Sequence, residues 1–379
     1  MSRVLVMDST YENCSQAVEQ AFEMFPIDVR GKKVAVKMNA LKAGDPDQLA
    51  LVTNYRLLQA VIRKLEALNP AEIVVGDSVG TESYGNSEYV FENTRLKAVA
   101  GPYYRNFNTN LSVVELERPF VRKVAVLKDV IDADVYISVP KMKTHGLTMI
   151  SGAVKNNYGL LTGGQKSWYH YACGTPQRFA EIIIEMFRLR PPDLTIMDAV
   201  LAMEGYGPAS PETRRVNKIM ASDDAVALDT VEARIVGFDA AEVPYLVIAG
   251  DLSLGETDLS AIDIIGSADT IQEYHRPTPP ETSYSYKAGV GDGRTSIDFF
   301  VQRIAYRPDI SAEICAYPEG CTRCVDICPS GALTRGEQLP VLDASACMAC
   351  SACKEACEAG GIELRPDPAV METLFKNSI

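Results

Sequence analysis

The chain has 379 residues, enough for two or three domains or for one large domain with an appendage. Its 47% apolar and 23% charged residues are the proportions of an ordinary globular protein. The net charge of −13 argues against nucleic-acid binding, which needs a concentrated basic surface, and no apolar run approaches the roughly 18 residues of a membrane span.

The opening "MSRVLVMDSTYENC" carries acids early and no long apolar core, so no secretory signal is expected and the expected location is cytoplasmic. "RVLVM" reads as a strand, and the helix that follows puts Ala17, Val18, Ala21, Phe22 and Phe25 on one face. "KKVAVKMN" is a second strand. "NYRLLQAVIRKLEAL" is an amphipathic helix ended by Asn69 and Pro70. "AEIVVGDS" is a third strand and "ADVYISVP" a buried fourth. Strands alternating with helices predict an α/β fold with a mostly parallel sheet flanked by helices, in which ligands bind beyond the carboxyl ends of the strands. Asp77, Ser78 and the Lys141–His145 stretch, expected as a loop, then share one rim.

Lys141, Lys143 and His145 occupy alternate positions, so they share a face wherever the chain is extended. Lys155, Asn156 and Asn157 follow ten residues later, and His170 flanks the region. Together they suit an anionic ligand, with His145, Lys143 and Lys155 as candidate catalytic groups and the others as binding groups. The alternative is a solvated basic loop. "GLLTGGQKSWYH" is not a phosphate-binding P-loop, because Gln165 separates Gly164 from Lys166; it remains a candidate anion-binding loop or lid. Further on come the helix "PQRFAEIIIEMFRLR" and the strands "DLTIMDAV" and "RVNKIMAS". Asp198 ends the first of these strands and Glu204 follows it, both candidate partners for the lysines. Ser222 is the expected N-cap of the next helix, with Asp223 and Asp224 in its first turn. Asp229 lies inside that helix among apolar residues and needs a partner if buried. "GVGDG" near residue 289 lacks the setting of a dinucleotide site.

Eight of the ten cysteines lie between Cys315 and Cys357. The second run is C-x2-C-x2-C-x3-C, at Cys347, Cys350, Cys353 and Cys357; the first is C-x5-C-x2-C-x3-C-P, at Cys315, Cys321, Cys324 and Cys328. Dense cysteines in a reducing compartment point to metal rather than to disulfides. The duplicated runs closely resemble a bacterial two-cluster ferredoxin. That resemblance implies two [4Fe-4S] clusters, one held by Cys315, Cys321, Cys324 and Cys357, the other by Cys347, Cys350, Cys353 and Cys328. Pro318 stands where the first cysteine is usual, which leaves a [3Fe-4S] first cluster open, and Glu358 replaces the usual proline. Two zinc sites are the alternative. Cys14 and Cys173 stand apart as packed thiols.

"VYISVPKMKTHGLTMISGAVKNNYGLL", "IMDAVLAMEGYGP" and "ASDDAVALD" together resemble the family termed domain of unknown function 362, whose members often carry a ferredoxin module. The expected organisation is an α/β domain over residues 1–270, a linker and closing segment over 271–308, the small ferredoxin-like α+β module over 309–366 and a tail over 367–379. The resemblance implies an iron–sulfur protein of oxidoreductase or ferredoxin-like kind; taken with the basic residue set, the expectation is an oxidoreductase that exchanges single electrons with an external donor or acceptor protein and acts on a small anionic substrate, with a homo-oligomer left open. Two alternatives stand beside it. One is an electron-transfer or assembly partner of another enzyme. The other follows from "SGAVK", distantly similar to the lactate racemase superfamily, and implies a nucleotide-like or metal cofactor in the cleft.

Overall fold

The computed structural model describes residues 1–80, 83–118, 121–277 and 306–376. In chain order the large domain comprises β1 (Ser2–Asp8), α1 (Cys14–Met24), β2 (Lys33–Met38), α2 (Tyr55–Leu68), β3 (Glu72–Gly76), α3 (Ser87–Asn93) and α4 (Leu96–Ala100). A hairpin of β4 (Leu111–Arg118) and β5 (Val121–Leu127) leads through α5 (Lys128–Ile131) to β6 (Val135–Val139). Next come β7 (Lys141–His145), β8 (Met149–Ile150), α6 (Ala153–Asn156), α7 (Gly164–Ala172) and α8 (Pro176–Leu189). β9 (Leu194–Met203), β10 (Thr213–Ser222), α9 (Ala225–Ile235), α10 (Pro244–Asp251) and β11 (Ile262–Gly266) complete it.

The sheet runs in the order β11-β1-β10-β9-β6-β2-β3, with β7 also paired to β9 and β8. The β11–β1, β9–β6, β6–β2 and β2–β3 pairs are parallel, and β10 alone in that path runs antiparallel to both neighbours. Strand alternation sorts the side chains. Val34 and Val36 pack toward α1 and α2, whereas Ala35 joins Phe107 and Tyr136 on the opposite face. The face carrying α8, α9 and α10 holds the other large core, with Phe179, Ile183, Val231 and Leu246. α2 starts at Asn54, whose side chain accepts from Arg56 N, and ends at Asn69 in the left-handed conformation (φ 56°) before Pro70.

Three local expectations are corrected. Lys141–His145 is a buried strand rather than a loop, because it completes the ladder beside β9. Asp224, not Ser222, caps α9: its carboxylate accepts from Val226 N and Ala227 N, while Ser222 Oγ donates to Arg3 O. The stretch after residue 270 is not all linker. Tyr274 is buried and its hydroxyl donates to Met203 O. "GVGDG" and most of "IDFFVQRIAY" lie outside the described residues.

The cysteine-rich segment is twofold in plan. Strand, helix, strand at Tyr306–Ile310, Arg323–Asp326 and Leu333–Thr334 are followed by strand, helix, strand at Val341–Leu342, Ala352–Glu355 and Ile362–Pro366. The outer strands pair antiparallel with each other, as do the inner ones. The expected tail instead contains the helix Pro368–Lys376. The segment is seated on the large domain. Gly164 N donates to Ala349 O at 2.8 Å, and Glu355 accepts from Ser87 Oγ and Asn106 Nδ2. Gly163 sits at φ +53°, and a Cβ there would stand 2.5 Å from Ala349 O, so glycine is what permits the close approach.

Candidate functional site

A cavity of about 140 Å³ opens at the carboxyl ends of β2 and β3, where ligands bind in open parallel sheets. Lys37 and Asn39 reach it from the end of β2, Asp77 and Ser78 from the end of β3, and Lys143 and His145 from β7. Lys155 and Asn156 come from α6, and Lys166 and His170 from α7. Lys42, Ser151 and Tyr158 complete the polar wall. Among the described residues that line it, Asp77 is the one acid.

The lysines differ in how they are held. Lys37 pairs with Asp77 at 2.7 Å and also donates to Asn156 O. Lys143 donates to Asn39 Oδ1 and Leu51 O, and its ammonium lies well below the usual lysine range through burial and the nearby Lys141 and Lys155. Lys166 donates to Ser78 O, Ser78 Oγ and Val79 O; burial brings it down to about 7. Lys155 lies over the rings of Tyr158 and Phe179, at 5.6 and 5.9 Å from their centroids. Among the described residues it has no ion-pair or hydrogen-bond partner. Its side chain is only partly buried, and desolvation, then the Lys37 charge, lowers it to about 7.

Both imidazoles are neutral at pH 7. Burial holds His145 well below its ordinary range, helped by Lys155, and brings His170 to about 3. His145 Nδ1 accepts from Leu147 N, so the ring proton sits on Nε2. His170 Nδ1 lies 2.7 Å from Lys166 O and therefore donates to it. Ser151 Oγ is buried at the wall with no hydrogen-bond partner among the described residues.

Beneath α6 lies a pair of fully buried acids. Asp229 accepts from Ala153 N, Val154 N and Tyr245 OH, which caps the short helix that carries Lys155. Glu232, one turn along α9, has neither oxygen hydrogen-bonded among the described residues. Burial and the neighbouring Asp229 push its carboxyl well above the usual range. Both acids press on Gly152, where a Cβ would meet Asp229 Oδ1 at 2.1 Å.

Of the residues singled out from sequence, Lys143, His145, Lys155, Asn156, Asp77, Ser78 and His170 reach the cavity. Lys141, Asp198, Asn157 and Glu204 are not brought to its wall. The β7 register shifts between Lys141 and Lys143, and Lys141 turns instead to a buried ion pair with Asp198 at 2.9 Å, bridged by Tyr11. Asn157 accepts from Tyr136 OH and donates to Arg190 O, a packing role. Glu204 pairs with Arg214. Sequence reasoning missed Lys37, Asn39, Lys42, Ser151 and Tyr158, and placed Lys166 only in a candidate lid. That residue belongs to α7, a regular helix.

The cysteines fall into two neighbourhoods. Burial pushes Cys324 up to about 11, and Cys315, Cys357 and Cys321 are close enough to add to the shift. Cys328, Cys347, Cys350 and Cys353 line one cavity with Met348, Leu333 and Leu342. Ala349 and Ser351 turn that loop with φ of 53° and 64°. Among the described residues, no three His, Cys, Asp or Glu side chains stand together as a site for a single metal ion. Cys14 and Cys173 are buried.

Fold and site thus define an α/β protein with a cationic cavity at the strand ends and a cysteine-rich segment docked beside it. The chain belongs to the family Domain of unknown function (DUF362), which matches residues 34–234. It is 37% identical over 232 residues to the thylakoid-associated protein sll1697 of Synechocystis sp., covering 60% of this chain and 70% of that one. Among solved structures it is similar to a Thermotoga maritima protein, with a TM-score of 0.38 and 13% identity over 58% of this chain. It is also similar to the lactate racemase apoprotein of Thermoanaerobacterium thermosaccharolyticum, with a TM-score of 0.37 and 12% identity over 59% of this chain. The chain spans 57% and 55% of the lengths of those two proteins, a likeness that carries no argument about activity. Among the described residues no helix is long and apolar enough to cross a membrane.

Proposed function

We propose that the protein is an iron–sulfur oxidoreductase that binds a small anionic organic substrate among Lys37, Lys143, Lys155 and Lys166 and exchanges electrons with it through the docked cysteine segment. The observation that carries this reading is adjacency. α7, which supplies Lys166 and His170 to the cavity, begins at Gly164, and the Gly164 amide is bonded to Ala349 in the loop between Cys347 and Cys350. The donor set fits two clusters: four thiols line one cavity, and the other four gather around Cys324. Bound [4Fe-4S] clusters would supply single electrons. The chain's own residues would do the rest. Lysines and Ser151 would neutralise and orient the anion, Asn156 would hold Lys37 in place, and neutral His145 would present an N–H to developing negative charge. The concave wall, which gathers the lysines around a cavity of about 140 Å³, favours a substrate site over a docking surface for another protein.

A second reading has its own observation. The neutral His145 and His170 rings, 5.9 Å apart in the cationic cavity, would suit a nucleotide-like cofactor, with the His145 N–H as a donor to its anionic groups.

Native mass spectrometry and iron and sulfide analysis of protein purified without oxygen test the proposal. About eight irons and eight sulfides are expected, falling to about four in Cys350→Ser. Zinc without sulfide would overturn the redox reading. An additional bound organic mass that survives Cys350→Ser would favour the second.

A further inference from the structure

Five lysines face one cavity, and four of them have partners: Lys37 donates to Asp77, Lys143 to Asn39 and Leu51, Lys166 to Ser78 and Val79, and Lys42 is engaged as well. Lys155 differs. It stands on a helix of four residues pinned by Asp229, faces two aromatic rings, and has no oxygen acceptor among the described residues. An ammonium is stabilised by the oxygens around it, and an amine without them keeps its lone pair. Neighbouring cations and apolar rings are the setting that turns a lysine into a nucleophile toward carbonyl carbon.

We infer that Lys155 forms an imine with the ketone carbon of a small 2-oxo acid whose carboxylate is held by Lys143, Lys166 and the Ser151 hydroxyl. The balance needs no oxidant or reductant. The Nζ lone pair forms the N–C bond and the C=O π pair moves to oxygen. Transfer of a proton from nitrogen gives the carbinolamine, and loss of water leaves the imine. The value of about 7 for Lys155 agrees with an amine that is largely unprotonated just above neutrality. The inference rests on the anion-site reading of the cavity but is independent of the clusters.

The full chain, purified without oxygen, is incubated at pH 7.5 with pyruvate and sodium cyanoborohydride, and adducts are located by peptide mapping. Binding of oxamate, which mimics pyruvate but forms no imine, is measured in parallel by calorimetry. A reduced adduct is expected on Lys155, faster than on surface lysines by on the order of a hundredfold. Saturating oxamate should block it, and Lys155→Arg should lose it while still binding oxamate. Adducts scattered over surface lysines, or a Lys155 adduct indifferent to oxamate, would overturn the inference. Oxamate binding without a Lys155 adduct would overturn the imine and leave the anion site standing; failure of both would remove the anion site as well. Because oxamate protection is read on the wild-type chain, the test holds even if Lys155→Arg misfolds.

Discussion

Anion binding to this cavity should take up protons. Lys155 and Lys166 are both lowered to about 7, mainly by burial. In the noncovalent complex, before any imine forms, a carboxylate held at Lys166 and close to Lys155 favours the charged form of each and raises both, so the complex binds more protons than the free protein and affinity must fall as pH rises. At pH 8 a group with a pKa of 7 is roughly one-tenth protonated, so charging both lysines takes up about 1.8 protons. Integrated from pH 6 to pH 8, two such groups weaken binding about a hundredfold, or about 2.7 kcal/mol. His145 and His170 are neutral throughout this range and contribute nothing to the slope, whereas Lys143, itself lowered well below the usual lysine range, adds uptake to the extent that the carboxylate charges it. Calorimetric titration with oxamate, repeated in buffers of different ionisation heat, reads proton uptake and affinity together. An affinity flat across this range, with no proton uptake, would refute the picture of two desolvated amines without a carboxylate partner. A single-proton slope would leave one lysine carrying the effect, and Lys166→Met would show which.

Other perturbations test the surrounding framework. Asp229→Ala strips the acceptor from two helix amides and a tyrosine hydroxyl, and should cost about 2–3 kcal/mol in denaturant unfolding while slowing imine formation at Lys155. The folded-state pKa of Glu232 is raised, so stability should decline as pH rises above the ordinary carboxylate range; Glu232→Gln should flatten that decline in melting curves from pH 5 to 9, and parallel curves would count against it. Gly163→Ala drives a Cβ into Ala349 and Cys350, so it should lower stability by about 1–3 kcal/mol and expose the cysteine segment to limited proteolysis. Lys155→Met removes a cation without an acceptor and should raise the stability at pH 6 by about 1 kcal/mol, a gain that shrinks as pH climbs past 7 because the folded state sheds the proton while the unfolded chain still holds it.

Much of this was legible in the sequence because strands and helices carry local periodicity. "KKVAVKMN" gives β2 directly, and the alternate spacing of Lys143 and His145 brings both to one wall. The same spacing failed for Lys141, since the register shift in β7 is a tertiary feature with no local signal. Lys37 left a trace. Val34 and Val36 occupy one face of β2, so a lysine on the other face, at the carboxyl end of an apolar strand, was an anomaly to pursue. Asp229 announced its need for a partner, but Ala153 and Val154 lie 76 and 75 residues away, and nothing local names them. Lys166 could be placed only once α7 was seen to run from the cysteine segment into the cavity.

The cavity's composition is itself an argument for a ligand. Burying a cation without a counter-charge is expensive, and a domain shaped by stability alone would replace such lysines with apolar residues of similar volume. Here Asp77 answers Lys37, Asp198 answers Lys141, and the described lining residues offer no further acid for Lys143, Lys155 and Lys166. Two more acids do lie close by, yet the fold commits Asp229 to helix capping and keeps Glu232 neutral, so neither compensates the amines. Functional sites are where such locally unfavourable arrangements persist. The missing negative charge is therefore best assigned to a molecule that enters the cavity, and the amine with no acceptor marks where its reactive carbon would come to rest.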